Sequence, residues 1–249
     1  MAKKLLSVQI LEKLDSDFGE IVVARVTKTG AILYRQGNCH QSESDGKGIS
    51  LSTYIHAIYG FLAQAKARNV LLIGVGGGTL ANMLSSEGAR VTLVDINPMS
   101  FEVARHYFGL PDSLPRHVED GLAFLNRGAA KFDAIVLDAY HASEIPEHLT
   151  TPAFFAEVRR RLTRHGLCLA NVYVKSDADD AARRIAATMA EEWPALRVLD
   201  TPGALERNTI LIAGSKEATA PLQPPWLMLK PRTGADDVRM ELKQMRFVG

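Results

Sequence analysis

The sequence predicts an α/β fold, in which a doubly wound parallel sheet follows a small N-terminal β-hairpin domain. Three observations indicate this fold. Strand-like and helix-like stretches alternate from residue 51 to about residue 214. The strand-like stretches are continuously apolar, which is typical of parallel strands buried on both faces. Before residue 51, short strand-like runs are separated by turns.

Residues 1–50 are predicted to form the N-terminal β-domain. Its strand-like runs read LLSVQILEKL, EIVVARV and AILYRQ. The turn sequence TKTG, from Thr27 to Gly30, separates the last two runs and predicts a hairpin.

Residues 51–214 are predicted to form the α/β core. A helix is expected at TYIHAIYGFLAQAK, followed by strands at VLLIG, RVTLVD, FDAIVLD and GLCLANVYV, and by a final strand pair at RVLD and NTILIAG. Further helices are expected at PMSFEVARHYF, TPAFFAEVRRRL and SDADDAARRIAATMAEEW. Thr151 is the expected N-cap of the second of these, because Pro152 then occupies the first helical position.

Residues 215–249 are predicted to form a C-terminal tail. The segment begins with the Pro-rich stretch PLQPPWLMLKP and ends with a short helical pattern, DDVRMELKQMRF. We expect it to act as a packing arm or a dimer arm.

The composition gives no reason to expect nucleic acid or a membrane as a partner. Lys and Arg total 29 against 28 Asp and Glu, a net charge of +1. No apolar run approaches membrane-spanning length, and the N-terminus does not resemble a signal peptide. Cys39 and Cys168 stand outside any metal-binding spacing. We therefore expect a cytoplasmic protein without a metal site.

A glycine-rich turn follows the first strand of the core. Gly74, Gly76, Gly77 and Gly78 lie between VLLI and the next helical stretch. A dinucleotide-binding turn would place a sixth-position glycine where Thr79 stands, so the pattern favours a nucleoside without a pyrophosphate. The alternative is a tight turn that serves only helix–strand packing.

Asp95 ends the second strand of the core, 21 residues after Gly74. A carboxylate at this place can accept both hydroxyls of a ribose. The alternative is an N-cap for the helix that begins near Pro98, a role that Asn97 can fill instead. Ile96, the next residue, is assigned to the same candidate site.

Asp120 and Gly121 precede a further helix. The Asp120 side chain can accept a hydrogen bond from an adenine amine, while a backbone N–H at the helix start serves a ring nitrogen. Helix capping by Asp120 is the alternative.

The ordered motifs VLLIGVGGGTL, VDINP, YFGLP, VEDGLAFL, FDAIVLDAY and HLTTPAFF resemble those of the spermidine synthase family of aminopropyltransferases, in particular its short bacterial members. The stretch ILYRQGNCHQS is similar to the family's substrate-covering β-domain, with Gln41 at its glutamine. The resemblance implies a methyltransferase-like, Rossmann-like core that binds decarboxylated S-adenosylmethionine. It also implies aminopropyl transfer to an amine in polyamine biosynthesis, and a homodimer.

By the same resemblance, Asp95 binds the ribose, Asp120 the adenine amine and Asp138 the attacking amine. Three family features are changed. Gly77 stands where the family has an acid that holds the aminopropyl ammonium. The family's Tyr-His-Glu stretch appears as Tyr54-Ile55-His56, and its Asp-x-x-Asp pair appears as Asp138 and His141.

Asp138 is the expected catalytic carboxylate. An aliphatic amine has a pKa of about 10 and must lose a proton before it attacks, and a carboxylate can orient the amine and accept that proton. The alternative is a solvated acid at a strand end. Tyr54, Tyr140 and Gln41 are expected to line the same cleft.

The loop HASEIPEHL, which begins at His141, is expected to close over that cleft. His141 is a candidate catalytic residue, with an ordinary surface histidine as the alternative. His56, on an apolar helix, is expected to be a packing residue.

Two other functions stay open. Glycine at position 77 removes a carboxylate that would repel intact S-adenosylmethionine, so a methyltransferase or another alkyltransferase is the first alternative. The second is a nucleoside-binding protein without catalytic activity.

Overall fold

The computed structural model of the protein describes residues 7–141 and 144–248. Residues 1–6, at the start of the first predicted strand, lie outside the described residues. Four antiparallel strands, paired in chain order, form the N-terminal sheet: β1 (Val8–Leu14), β2 (Ile21–Val26), β3 (Ile32–Gln36) and β4 (Cys39–Ser44). The predicted hairpin at Thr27–Gly30 is confirmed, since the Gly30 N–H donates to the Val26 carbonyl at 2.8 Å.

The larger sheet has eight strands in the order β12-β10-β11-β9-β8-β5-β6-β7. The strands are β5 (Asn69–Ile73), β6 (Arg90–Asp95), β7 (Arg116–Val118), β8 (Phe132–Leu137), β9 (Leu162–Val174), β10 (Ala195–Asp200), β11 (Arg207–Gly214) and β12 (Arg246–Val248). Strands β7, β6, β5, β8 and β9 are parallel, and the remaining three pair antiparallel. The sheet is therefore mixed, with an antiparallel edge beyond β9.

Eight helices accompany the strands in the described part of the chain. They are α1 (Thr53–Gln64), α2 (Thr79–Ser86), α3 (Pro98–Phe108), α4 (Gly121–Arg127), α5 (Pro152–Arg161), α6 (Ala181–Glu192), α7 (Lys216–Thr219) and α8 (Ala235–Gln244). The expected caps are present: Thr151 accepts a hydrogen bond from the Phe154 N–H at 3.2 Å, and Asn97 accepts one from the Met99 N–H at 3.0 Å.

Helices cover both faces of the large sheet. Along β5, Val70 and Leu72 pack with α1, α2 and α8, whereas Leu71 and Ile73 pack with α4, α5 and α6. Alternate residues of a strand point to opposite faces, so this division follows directly from the continuous apolar run. The doubly wound α/β prediction is confirmed.

The C-terminal segment returns to the large sheet. Strand β12 pairs with β10, and Phe247 on β12 lies with its ring centroid 5.9 Å from that of Phe61 on α1. The Arg197 guanidinium stacks 3.4 Å from the centroid of the Phe247 ring. The segment after residue 214 thus packs against the core, while the boundary itself stays a prediction.

The chain reverses its direction of winding between β5 and β8. Strands β6 and β7 extend the sheet on one side of β5, and β8 and β9 extend it on the other. The register pairs Ile73 of β5 with Leu137 of β8, so both strands end side by side. Ligands of open α/β sheets bind outside the carboxyl ends of strands at such a position.

Within residues 7–141 and 144–248, no helix combines the length and the apolar character that a membrane crossing requires.

Candidate functional site

Two cavities meet at the carboxyl ends of β5 and β8. The smaller pocket has a volume of about 320 Å³, and the larger cleft one of about 900 Å³. The residues that line both are Gln41, Gly74, Val75, Gly76, Asp138 and Tyr140. Four of the residues predicted for donor or acceptor binding and two of those predicted for catalysis therefore stand at the junction.

Gly74 allows the β5 turn to lie against the end of β8. Its φ angle is +90°, and a Cβ atom there would lie 2.2 Å from the Asp138 carbonyl oxygen. No other residue type fits both the left-handed backbone and the close approach. The glycine thus brings the turn and Asp138 together.

Gly77 lines neither cavity, so its position does not support the prediction that it contacts the donor. Its N–H donates to the Ser42 hydroxyl of β4 at 2.8 Å, and a Cβ atom would lie 2.8 Å from the Ser42 Cβ and 2.9 Å from the Phe108 ring. Ser42 and Phe108 fill the space that an acidic side chain at position 77 would need. Gly78, by contrast, lines the larger cleft.

Asp95 lines the smaller pocket and is held by backbone N–H groups. Its Oδ2 accepts from Val75 at 2.8 Å and its Oδ1 accepts from Asn97 at 2.9 Å. Each carboxylate oxygen keeps a further lone pair for a ligand hydroxyl. Burial raises the pKa of Asp95, while the hydrogen bonds from Asn97 and Val75 oppose the rise. The geometry suits a ribose diol, and Asn97, not Asp95, caps α3.

Asp120 both caps a helix and lines the smaller pocket. Its Oδ1 accepts from the Ala123 N–H at 3.0 Å, and its Oδ2 lies 2.6 Å from Nε2 of His148. The capping alternative is thus correct, and it leaves a carboxylate oxygen facing the pocket. Gly121, beside it, also lines the pocket.

Apolar side chains complete the smaller pocket. Ile96, a large apolar residue after β6, lines the smaller pocket and is 54% exposed. Leu149 and Pro146, from the segment after β8, line it as well. A flat, partly apolar ring system is the type of group that such a lining accommodates.

Sequence reasoning missed several lining residues of the smaller pocket: Phe18, Gln36, Ser100 and His148. Gln36 ends β3, where Tyr34 and Asn97 both donate to its Oε1 at 2.7 Å and 3.3 Å. The signal for Gln36 was its position at a strand end, in the stretch that the resemblance assigns to a substrate-covering domain, but the residue pattern does not show which side chains of that sheet reach the pocket.

Asp138 lies where the two cavities join. Its Oδ1 accepts from Asn171 Nδ2 of β9 at 2.8 Å, and its Oδ2 accepts from the Tyr54 hydroxyl of α1 at 3.3 Å. Burial raises the pKa of Asp138 to about 7, although these two hydrogen bonds oppose the rise. Burial likewise raises the pKa of the Tyr54 phenol, which therefore remains a hydrogen-bond donor.

Asn171 was also missed. It is 1% exposed and interrupts the apolar run GLCLANVYV, so a polar residue within a buried strand was the available signal.

Tyr140 lines both cavities, but its hydroxyl forms two hydrogen bonds with β9. It donates to the Asn171 carbonyl at 2.7 Å and accepts from the Tyr173 N–H at 2.9 Å. Both partners are backbone groups, so Tyr140 braces the loop after β8 against β9. Burial raises the pKa of its phenol far above the usual value.

The two histidines differ in place. His141 lines the smaller pocket and not the larger cleft. His56 is 1% exposed, with Nε2 at 2.8 Å from the Ser50 carbonyl, as expected of a packing residue. Ala142 and Ser143 of the loop predicted to close the cleft lie outside the described residues, and loop closure stays a prediction.

The larger cleft carries more acid than base. Glu43 of β4 and Glu241 of α8 line it with Glu206, and Thr53 donates a hydrogen bond to Glu241. Burial, and then the charge of Glu241, raise the pKa of Glu43. Arg207 also lines the cleft, but its charge is compensated by Asp200 at 2.7 Å and by Asp177 at 2.8 Å. The cleft therefore favours a cationic ligand.

A metal site is not formed by the described residues, among which no group of three His, Cys, Asp or Glu side chains could hold an ion.

Comparison with known proteins finds relatives in sequence and in fold. The family described as "Methyltransferase domain" matches residues 70–166. The polyamine aminopropyltransferase of Vibrio vulnificus is 29% identical over 153 residues, which are 59% of this chain and 51% of that protein. The polyamine aminopropyltransferase of Chromobacterium violaceum is 28% identical over 202 residues, 79% of this chain and 75% of that protein. The chain thus spans about half the length of the first and three quarters of the second.

A crystal structure of a probable spermidine synthase from Corynebacterium glutamicum superimposes with a TM-score of 0.77 at 20% identity, covering 96% of this chain and 90% of that one. The superposition includes both the N-terminal sheet and the larger sheet in its span. The resemblance noted in the motifs is confirmed: the chain is similar in sequence to polyamine aminopropyltransferases, and it shares its fold with a probable spermidine synthase.

Proposed function

We propose that the protein transfers an aminopropyl group from decarboxylated S-adenosylmethionine to an amine. The observation that carries the proposal is the position of Asp138, whose carboxylate stands at the junction of two cavities of different character. A transfer reaction needs its donor and acceptor side by side, with a group between them that handles the acceptor's proton.

The smaller pocket supports the donor. Asp95 offers acceptor lone pairs for a ribose, and Asp120 offers a carboxylate oxygen at the start of a helix. Ile96 and Leu149 offer apolar contact for a base. These three kinds of group match the ribose, the exocyclic amine and the ring system of an adenosine.

The larger cleft supports a cationic acceptor. Glu43 and Glu241 lie on two different elements that border it, and Arg207 is already paired. The relatives from Vibrio vulnificus and Chromobacterium violaceum carry the name polyamine aminopropyltransferase. A chain amine with more than one ammonium group fits this distribution of charge.

The reaction balances with the groups present. Asp138 takes one proton from the acceptor ammonium, and the neutral amine attacks the propyl carbon bound to sulfur. The new N–C bond forms as the C–S bond breaks, and the electron pair of that bond stays on sulfur. The products are methylthioadenosine, a neutral thioether, and a secondary ammonium.

The raised pKa of Asp138 suits the proton transfer. An amine of pKa about 10 is mismatched with an ordinary aspartate by about six units. Burial raises the pKa of Asp138 to about 7, which halves the mismatch. Below pH 7 the carboxyl is increasingly protonated and cannot accept the proton, so turnover falls on the acid side.

Methyl transfer from intact S-adenosylmethionine is the second candidate, and the match of residues 70–166 to the family described as "Methyltransferase domain" is the observation that favours it. Gly77 lines neither cavity and therefore does not distinguish the two donors.

The test incubates the protein separately with each donor and a panel of mono-, di- and triamines, and identifies the products by mass spectrometry. The proposal expects methylthioadenosine and an amine that is heavier by one aminopropyl group. A methylated acceptor formed only from the intact donor would replace it with the second candidate. Tight binding of methylthioadenosine without turnover of either donor would indicate a non-catalytic nucleoside-binding protein.

The homodimer and the cytoplasmic location expected from the resemblance remain predictions. Sedimentation of the purified chain and fractionation of the cells that make it are their respective tests.

A further inference from the structure

Two asparagines connect Asp138 to the neighbouring strands. Asn171 of β9 donates from Nδ2 to Asp138 Oδ1 at 2.8 Å, and its own Oδ1 accepts from Asn208 Nδ2 of β11 at 3.0 Å. Asn171 is buried, whereas Asn208 is partly exposed and lines the larger cleft. The three side chains form a chain of hydrogen bonds across β11, β9 and the end of β8.

The chemistry of the end group determines the direction of this chain. An ionised carboxylate only accepts hydrogen bonds, so Asn171 must present its NH₂ group to Asp138. The Asn171 carbonyl then faces Asn208, which must present its own NH₂ group. Because each amide donates toward Asp138, the chain has a single direction.

This direction makes the two oxygens of Asp138 unequal. Oδ1 receives a hydrogen bond of 2.8 Å from an amide that cannot turn without losing two bonds. Oδ2 receives the longer contact of 3.3 Å from Tyr54. A proton on Oδ1 would face the NH₂ group of Asn171, which offers no acceptor, whereas a proton on Oδ2 would face a hydroxyl that can accept.

We propose that Asn171, oriented by Asn208, is a positioning residue that keeps Asp138 Oδ1 an acceptor and thereby makes Oδ2 the oxygen that takes the proton of the attacking amine. The inference deepens the proposed function and rests on it. Neither asparagine amide is assigned a contact with a reacting atom. Both residues act through Asp138.

Around Asp138, the two asparagines are the side chains that set the hydrogen bonding of Oδ1. The titratable groups nearest to the carboxylate are the phenols of Tyr54 on α1 and of Tyr140 in its own loop. The glycine turn after β5 contributes no charge. The titratable histidine, acids and arginine that border the larger cleft come from β4, α8, β11 and the residue before β11, and they are His40, Glu43, Glu241, Glu206 and Arg207.

The decisive variant is Asn208→Asp. An ionised aspartate at 208 offers no donor, so the Asn171 NH₂ group turns toward it and the Asn171 carbonyl faces Asp138 Oδ1. The Asn171 carbonyl and Asp138 Oδ1 are then both acceptors, so they form a hydrogen bond only when Asp138 is protonated. We therefore expect the acid limb of kcat/KM to move to higher pH by about one unit or more, a tenfold loss of activity per unit at a fixed pH on that limb.

Three further variants separate this effect from a loss of packing. Asn208→Ser retains a donor hydroxyl and is expected to give a smaller shift. Asn171→Leu removes the hydrogen bond to Oδ1 and is expected to move the limb in the same direction as Asn208→Asp. Asn69→Asp makes the same amide-to-acid change at the opposite end of the sheet, where Asn69 donates to the Lys131 carbonyl, and is expected to leave the pH profile unchanged.

A direct titration of Asp138 keeps the inference independent of turnover. The carbon-13 signal of the side-chain carboxyl, assigned by its disappearance in Asp138→Asn, gives the pKa of Asp138 without donor or acceptor. We expect a higher pKa in Asn208→Asp than in the wild type. If the wild type turns over no donor, the proposed function fails while this comparison still decides the inference. An equal pKa and an equal acid limb in the two proteins would overturn the inference.

Discussion

A carboxylate that is surrounded by protein must be held by donors or stay protonated. Asp138 illustrates the balance, because two side-chain donors hold it and its pKa still rises to about 7. Asp95, which has backbone N–H donors on both oxygens, is half-buried, and burial raises its pKa as well. A pKa near neutrality, as for Asp138, is typical of groups that exchange protons in an active site.

Replacing Asp138 by asparagine is expected to stabilise the unliganded protein at alkaline pH. The folded-state pKa of Asp138 is raised above its usual value of 3.8, so the stability associated with its protonated form is complete at low pH and is lost as pH rises to 7. The gain in Tm of Asp138→Asn over the wild type should therefore be larger at pH 8 than at pH 4. The corresponding gain in unfolding free energy has an upper bound of about 4 kcal/mol.

Thermal unfolding at the two pH values measures this gain. Turnover should be lost in Asp138→Asn while binding of methylthioadenosine is retained. A gain that is the same at both pH values would contradict the raised pKa, and unchanged turnover would contradict the catalytic assignment.

Gly77 is a packing position, and a small side chain there is expected to be costly. In Gly77→Ala, the new methyl group meets the Ser42 Cβ at 2.8 Å and the Phe108 ring at 2.9 Å. Overpacking of this kind costs roughly 1–3 kcal/mol of unfolding free energy. Denaturant unfolding measures the loss, and the added change Ser42→Gly should recover part of it. A Gly77→Ala protein as stable as the wild type would refute this packing role.

At the scale of elements, helix α8, near the end of the chain, places an acidic side chain at the larger cleft. Its buried face, with Val238 and Leu242, packs in the core cluster that contains α1. Glu241 then lies beside Thr53, the first residue of α1, and lines the cleft. The helix therefore places an acid at the larger cleft, next to the start of α1.

Glu241→Gln is expected to weaken the binding of acceptors that carry a second ammonium group. A partly exposed charge contact is worth up to about 1 kcal/mol, so KM for a diamine should rise by up to about fivefold, with kcat little changed. KM for a monoamine of equal length should stay nearly constant. Asp237→Asn, an exposed acid of the same helix that does not line the cleft, is the matched control. Equal effects of the two variants on KM would contradict a role for Glu241.

The elements show which parts of the molecule were predictable. Asp95 and Asp138 end apolar strand runs, and parallel strands bring such ends together, so local pattern was sufficient to place them. To predict Asn171 as a site residue, one must know that β9 passes beside β8. To predict Glu241, one must know that α8 contacts α1, although most of the chain separates these two helices. Gly77 was assigned to the donor by its motif, but its place was decided by Ser42 from another sheet. Gln36, Asn171 and Glu241 all depend on contacts between elements distant in sequence.

At the scale of the whole molecule, the site lies between two sheets. The N-terminal sheet contributes Gln36 and Gln41, and the larger sheet contributes the loops that carry Asp95, Asp120 and Asp138. The Ser42–Gly77 hydrogen bond connects the two sheets beside the glycine turn. A ligand in the smaller pocket therefore contacts both sheets at once and should tie them together.

Hydrogen exchange is expected to detect this connection. By the proposed function, methylthioadenosine binds in the smaller pocket between the two sheets, so it should slow amide exchange in β3 and β4 as well as in the turn after β5. Strands β10 and β12, at the far edge of the larger sheet, contribute no residue to the smaller pocket and serve as the internal control. Asp95→Asn should weaken the binding and reduce protection in both sheets together, because one ligand links them. Protection confined to the larger sheet would show that the N-terminal sheet does not cover the bound nucleoside.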